Sequence, residues 1–148
     1  MKRKKLSAFI IVVLLLMLTT ACISKTAETL QLGSDTVSTL YSTAGEKKIT
    51  GSSKSSSTKD GIAVSQQKIV YGSGDVTIDD INGYILKLVQ DDGFVVTKDA
   101  DVADGAQTYQ IGKESATSGK ILLVDFSFTA GANATITYTL TDGTLTAD

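Results

Sequence analysis

Between residues 77 and 140 the spacing of apolar residues changes period once, and that change limits the folds open to the chain. Ile78, Ile81, Tyr84, Ile85, Leu88 and Val89 recur at i, i+3, i+6, i+7, i+10 and i+11, a continuous stripe along one helix face. Thr77 with Asp80 three residues on makes a capping-box start, Asp79 and Asp80 suit the positive end of the helix dipole, and Gly93 ends the segment. The spacing predicts a helix over residues 78–91. Gly83 inside it costs about 1 kcal/mol relative to Ala, which suggests close packing at that point. Past Gly93 the period falls to 2, predicting strands at 94–97, 108–113, 120–129 and 134–140. Leu122, Val124, Phe126 and Phe128 share one face of the third, with Phe126 expected opposite Leu88 of the helix.

Upstream the pattern is weaker. Val37, Leu40, Tyr41 and Ala44 fall at i, i+3, i+4 and i+7 between a Ser34-Asp35 cap and Gly45, predicting a short helix. A brief strand fits residues 46–51, and a second fits 62–71 before Gly72-Ser73-Gly74. Residues 51–61 contain no apolar side chain and read as a Ser-rich flexible loop. The expected fold is α+β: one amphipathic helix packed on an antiparallel meander of about four strands, preceded by a smaller helix-plus-strand segment. Residues 34–148 would make a single small domain, with 141–148 a frayed tail.

The start of the chain carries an address. Lys2, Arg3, Lys4 and Lys5 are followed by an unbroken apolar run from Ala8 to Leu18, then Thr19-Thr20-Ala21-Cys22. A basic start, a short apolar stretch and a small-residue exit describe a secretory signal peptide, and the run is short of the roughly 20 apolar residues that cross a bilayer. Residues 18–22 resemble the lipobox of bacterial lipoproteins, in which an aliphatic residue and two small residues precede a Cys. Thr19 stands here in the aliphatic slot, with Leu18 one residue earlier. The resemblance implies cleavage after Ala21, diacylglycerol on the Cys22 thiol, and a short tether over residues 22–33. The mature chain would then sit lipid-anchored on the extracytoplasmic face of the cell membrane. Removing residues 1–21 takes away four of 14 basic residues and none of the 16 acidic ones, leaving a net charge of −6. So acidic a body is a poor partner for nucleic acid.

The reactive inventory is thin. The chain has no His and one Cys, which leaves no imidazole base, no internal disulfide and no multi-thiolate site. The run Asp99, Asp101, Asp104, Gly105 fails calcium-loop spacing, since Ala103, Asp104 and Gln110 stand where a ligand, Gly and Glu belong. It reads as a solvated Asp/Gly turn. Asp91-Asp92 could form a carboxylate pair, but nothing in the sequence sets a raised-pKa partner beside it. Tyr41, Tyr71, Tyr84, Tyr109 and Tyr138 are core or core-edge residues before they are a stacking surface. Gly72-x-Gly74 lacks the rest of a phosphate-binding loop. No catalytic, metal-binding or cofactor-binding residue is assigned, and the function expected is non-enzymatic binding to an envelope protein or polymer. An inhibitor or small-ligand module is the next alternative, and a small carboxylate hydrolase the last.

Tyr84-Ile85-Leu86-Lys87-Leu88 with Gly93-Phe94 resembles small, largely uncharacterised lipoproteins of Gram-positive bacteria, in which a Tyr-bearing helix runs through Gly-Phe into several strands. That likeness spans residues 76–140 and implies a fold without a site. Residues 34–71 are similar to the helix-then-hairpin units of outer-membrane assembly lipoproteins and β-lactamase-inhibitor proteins.

Overall fold

The computed structural model describes residues 27–146, and Cys22 with the leader lies outside them. The chain is mostly β. A small antiparallel hairpin, β1 (Thr29–Leu32) with β2 (Asp35–Ser38), leads into a one-turn helix α1 (Tyr41–Ala44). Next come β3 (Ile49–Lys59) and β4 (Ile62–Tyr71), then helix α2 (Ile78–Gln90). Four more strands follow: β5 (Val95–Ala103), β6 (Ala106–Glu114), β7 (Lys120–Phe128) and β8 (Ala134–Asp142). All but the first two form one six-stranded antiparallel sheet, in the order β3-β4-β8-β7-β6-β5.

This corrects the expected helix on a four-stranded meander. The meander exists as β5 to β8, but it returns to pair with β4, so the β3–β4 hairpin belongs to the same sheet. Three local readings change with it. Residues 51–61 are not a flexible loop: Gly51 to Lys59 pair residue for residue with Val70 to Ile62. Residues 99–105 are not simply a turn, because β5 runs on to Ala103 and only Asp104-Gly105 turns. The tether and first helix expected over 29–38 are strands β1 and β2.

Both long hairpins close on Asp-Gly. Asp60 and Gly61 have φ of 53° and 81°, Asp104 and Gly105 52° and 78°. Positive φ at both central residues of a two-residue link gives the mirror-image turn whose twist matches that of the strands, and Asp-Gly adopts it most cheaply. The turn residues therefore outweigh the lack of apolar residues in β3. Helix α2 carries the chain from β4 to β5, four strand spacings or about 19 Å. Its 13 residues are about 20 Å long. The helix is capped as its sequence indicates: Asp80 N donates to Thr77 Oγ1 at 3.2 Å and Thr77 N donates to Asp80 Oδ2 at 2.8 Å. Gly83 is different. A Cβ there would meet nothing within 4 Å, so it faces open space rather than a close neighbour.

The core lies between α2 and one sheet face. Ile69, Tyr71, Val124, Phe126, Ile136 and Tyr138 supply the sheet side and Ile81, Tyr84 and Leu88 the helix side, all buried. Leu30, Leu32, Val37 and Leu40 extend the core under the small hairpin. The opposite sheet face carries Thr135, Thr137, Thr139 and Thr141 along β8, with Ile121, Leu123 and Val70 of the neighbouring strands beside them. No helix among the described residues is long and apolar enough to cross a membrane.

Candidate binding surface

Helix α2 carries two exposed apolar residues, Ile78 and Leu86, beyond those that pack on the core. Tyr84, Leu88 and Ile81 face the sheet, and Ile85, Ile78, Val89 and Leu86 carry the stripe on around about 200° of the helix. A core-facing helix needs an arc of roughly 100°. Ile85 and Val89 still pack against the core edge, and on the side toward β5 and β6 Ile78 and Ile85 face the sheet across a gap. There a groove of about 270 Å³ is lined by Ile78, Ile81, Ile85, Tyr109, Phe126 and Phe128, with the amides of Asn82 and Gln107 among them. Val102 pairs directly with Gln107, so it shares that face at the hairpin tip. Of six exposed large apolar residues among the described residues, Ile78, Leu86, Val95, Val96 and Val102 sit on α2 or β5, and only Ile62 lies elsewhere. Val102, 65% exposed, is the extreme case.

The polar face of the same strands carries a second depression, of about 300 Å³. Register aligns Lys98, Gln110, Asp125, Thr137 and Lys68 in one row across β5, β6, β7, β8 and β4. Gln110 is the hub of that row: its Oε1 accepts from Thr97 Oγ1 at 3.0 Å and its Nε2 donates to Asp125 Oδ1 at 2.7 Å. Bulges in β5 between Val96 and Lys98 and between Lys98 and Asp101 bring Lys98, Asp99 and Asp101 to the rim.

The core between α2 and the sheet holds a tyrosine cluster. The Tyr84 hydroxyl bonds the Ser38 carbonyl at 2.5 Å and the Tyr138 hydroxyl at 2.8 Å. A carbonyl only accepts, so Tyr84 spends its one proton on Ser38 and Tyr138 donates to Tyr84. This relay joins β8, α2 and β2. The Tyr71 hydroxyl is buried without a hydrogen-bond partner among the described residues. Burial pushes its phenol up to about 12, and burial raises Tyr84 and Tyr138 as well.

The residues weighed from sequence are dispersed. Asp91 closes α2 and pairs with Lys87 at 3.3 Å, and Asp92 offers its carbonyl to Lys113 Nζ at 3.3 Å. Asp99 and Asp101 lie along β5 with Asp104 in its turn. Among the described residues no group of three or more His, Cys, Asp or Glu comes together as a metal would need. Tyr71, Tyr84 and Tyr138 are fully buried, Tyr109 and Tyr41 half-buried. Sequence reasoning missed the groove; the one available signal was Ile78 and Ile85 of the α2 stripe beside Val102. Comparison with protein-family models, with curated proteins and with solved structures finds no match to this chain.

Proposed function

We propose that this chain is a lipid-anchored, non-catalytic binding module on the extracytoplasmic face of a cell membrane, and that it binds at the end of the sheet that α2 leaves uncovered. The observation that carries the reading is that uncovered end: an apolar groove lined by exposed Ile78, with exposed Val102 on the same sheet face at the hairpin tip. Exposed apolar surface gathered in one place marks an interaction site, whereas scattered exposed residues do not. The anchor rests on the basic start, the apolar run and Cys22. Residues 23–28 lie between Cys22 and β1, so the anchor would hold the folded body within about 25 Å of the bilayer.

Fractionation of cells expressing Cys22→Ser tests the anchor. The variant should lose fatty-acid labelling and leave the membrane fraction; a variant that stays membrane-bound and fully processed would refute it. The polar depression supports a second reading, a module for a hydroxyl-rich small ligand or polymer, because an amide, a carboxylate and hydroxyls stand side by side around Gln110 and Asp125. Under that reading soluble cell-wall fragments bind and Gln110→Ala weakens them.

A further inference from the structure

We propose that the depression on the sheet face opposite α2 binds an oligosaccharide whose sugars carry free ammonium groups. The proposal rests on the reading of this depression as a site for a hydroxyl-rich ligand and adds the charge that ligand bears. Its volume, about 300 Å³, is at the small end of the range in which proteins hold small molecules. Half-buried Gln110, Asp125, Thr135 and Thr137 make the floor, and exposed Lys98, Asp99 and Asp101 the rim. The lining comes from four adjacent strands, because register sets Lys98 opposite Gln110, Gln110 opposite Asp125 and Asp125 opposite Thr137. Neighbouring strands lie about 4.8 Å apart, so the lining runs about 14 Å across the sheet, a strip suited to a chain of rings.

The strip can hydrogen-bond hydroxyls in both directions. Gln110 Nε2 donates to Asp125 Oδ1 at 2.7 Å. That bond uses one of two amide protons and one of two carboxylate oxygens, which leaves a donor and an acceptor side by side for a ligand. The Thr135 and Thr137 hydroxyls beside them each donate or accept. Charge then narrows the class. Asp99, Asp101 and Asp125 line the depression against Lys98 alone, and none of the four joins an ion pair among the described residues. Asp125 matters most, since a half-buried carboxylate is screened less than an exposed one and gains more from a cation. Among the described residues no three acidic groups close on one point as a metal ion would need. Asp101 pairs with Thr108 and so stands two strands and one side-chain repeat from Asp125, about 12 Å between backbones. Carboxylates so spaced meet separate cations along one ligand. An anionic polymer would meet the same carboxylates with repulsion. A polyamine would bring the charges without the hydroxyls.

The test uses the full-length lipid-modified protein in zwitterionic lipid nanodiscs, with empty nanodiscs subtracted, and reads the anisotropy of end-labelled tetrasaccharides. The probes are a chitosan-type tetramer of glucosamine, its fully N-acetylated counterpart and a cellulose-type tetramer of glucose, with a hydroxyl-free triamine as competitor. The glucosamine tetramer should bind saturably, weaken with added salt, and bind at least about tenfold tighter than either neutral tetramer. Asp125→Asn keeps an oxygen for Gln110 and removes the charge, so binding of the glucosamine tetramer should fall about tenfold, to the level of the neutral ones. Asp101→Asn, on the exposed rim, should lose part of the same preference. Circular dichroism and melting curves matching wild type show that both variants remain folded. Displacement by the triamine as complete as by unlabelled glucosamine tetramer, or a preference unchanged in both variants, would overturn the proposal. Equal binding of the three tetramers would also overturn it, and if Gln110→Ala abolished that binding the reading as a hydroxyl-ligand site would still stand. No binding of any tetramer would remove both.

Discussion

Tyr84 does more for this fold than any residue its size would suggest, because its hydroxyl closes a chain running from Tyr138 to the Ser38 carbonyl. Tyr84→Phe keeps the ring against Phe126, 5.8 Å between centroids, and strands a buried donor and a buried acceptor at once. It should cost about 1–3 kcal/mol. Tyr71→Phe removes a hydroxyl with no partner among the described residues and should be neutral or stabilising by up to about 1 kcal/mol. Chemical denaturation of the two variants beside wild type checks the contrast, and equal losses would contradict the relay. The same burial sets the alkaline limit. Above pH 10.0 the unfolded chain releases the Tyr71 proton, while the folded chain holds it to about pH 12. Unfolding is then favoured progressively across that window, and stability falls as pH rises. Tyr84 and Tyr138, also raised, add to the loss. Tyr71→Phe should flatten the slope between pH 10 and 12.

At the scale of elements, α2 was legible because three signals agree: a period of 3.6, a Thr77–Asp80 cap and a Gly93 stop. Strands β6, β7 and β8 were legible for the same reason, with alternation that the register confirms from Tyr109 through Phe126 to Ile136. Strand β3 was hidden because both of its faces meet solvent, so burial imposes no alternation on Ser52 to Thr58. Only the Asp60-Gly61 turn announces that hairpin. Replacing Gly61 with Val places a β-branched residue at φ 81° and should destabilise the hairpin by about 1–2 kcal/mol. Loss of amide protection confined to β3 and the outer end of β4 is the expected readout. Gly83 gives the opposite case, since its missing side chain serves no contact. Gly83→Ala should stabilise by about 0.5–1 kcal/mol, and a loss on denaturant titration would show that something packs there. Phe126→Ala, beneath α2 with Phe126 only 3% exposed, should cost about 3–5 kcal/mol and broaden or abolish the melt.

Across the whole molecule, the order β3-β4-β8-β7-β6-β5 follows from one long step. Helix α2 takes the chain from β4 to the far edge, and the meander fills the space back to β4. Pairing of β8 with β4 joins segments far apart in sequence, which local pattern does not encode, and so the strands were recognisable while their union in one sheet was not. The binding surface was illegible for a related reason. It is made of what α2 fails to cover, and that depends on where the helix comes to rest over six strands rather than on any residue's neighbours in the chain. The account of function therefore turns on whether the uncovered end meets a partner in the cell. The direct measurement is photo-crosslinking in intact membranes, with a photoreactive residue at Val102, on the groove's face at the hairpin tip, or at Ser55 on the opposite edge strand. The account predicts a discrete crosslinked product from position 102 and none from position 55. No product from position 102, or the same product from both, would contradict it.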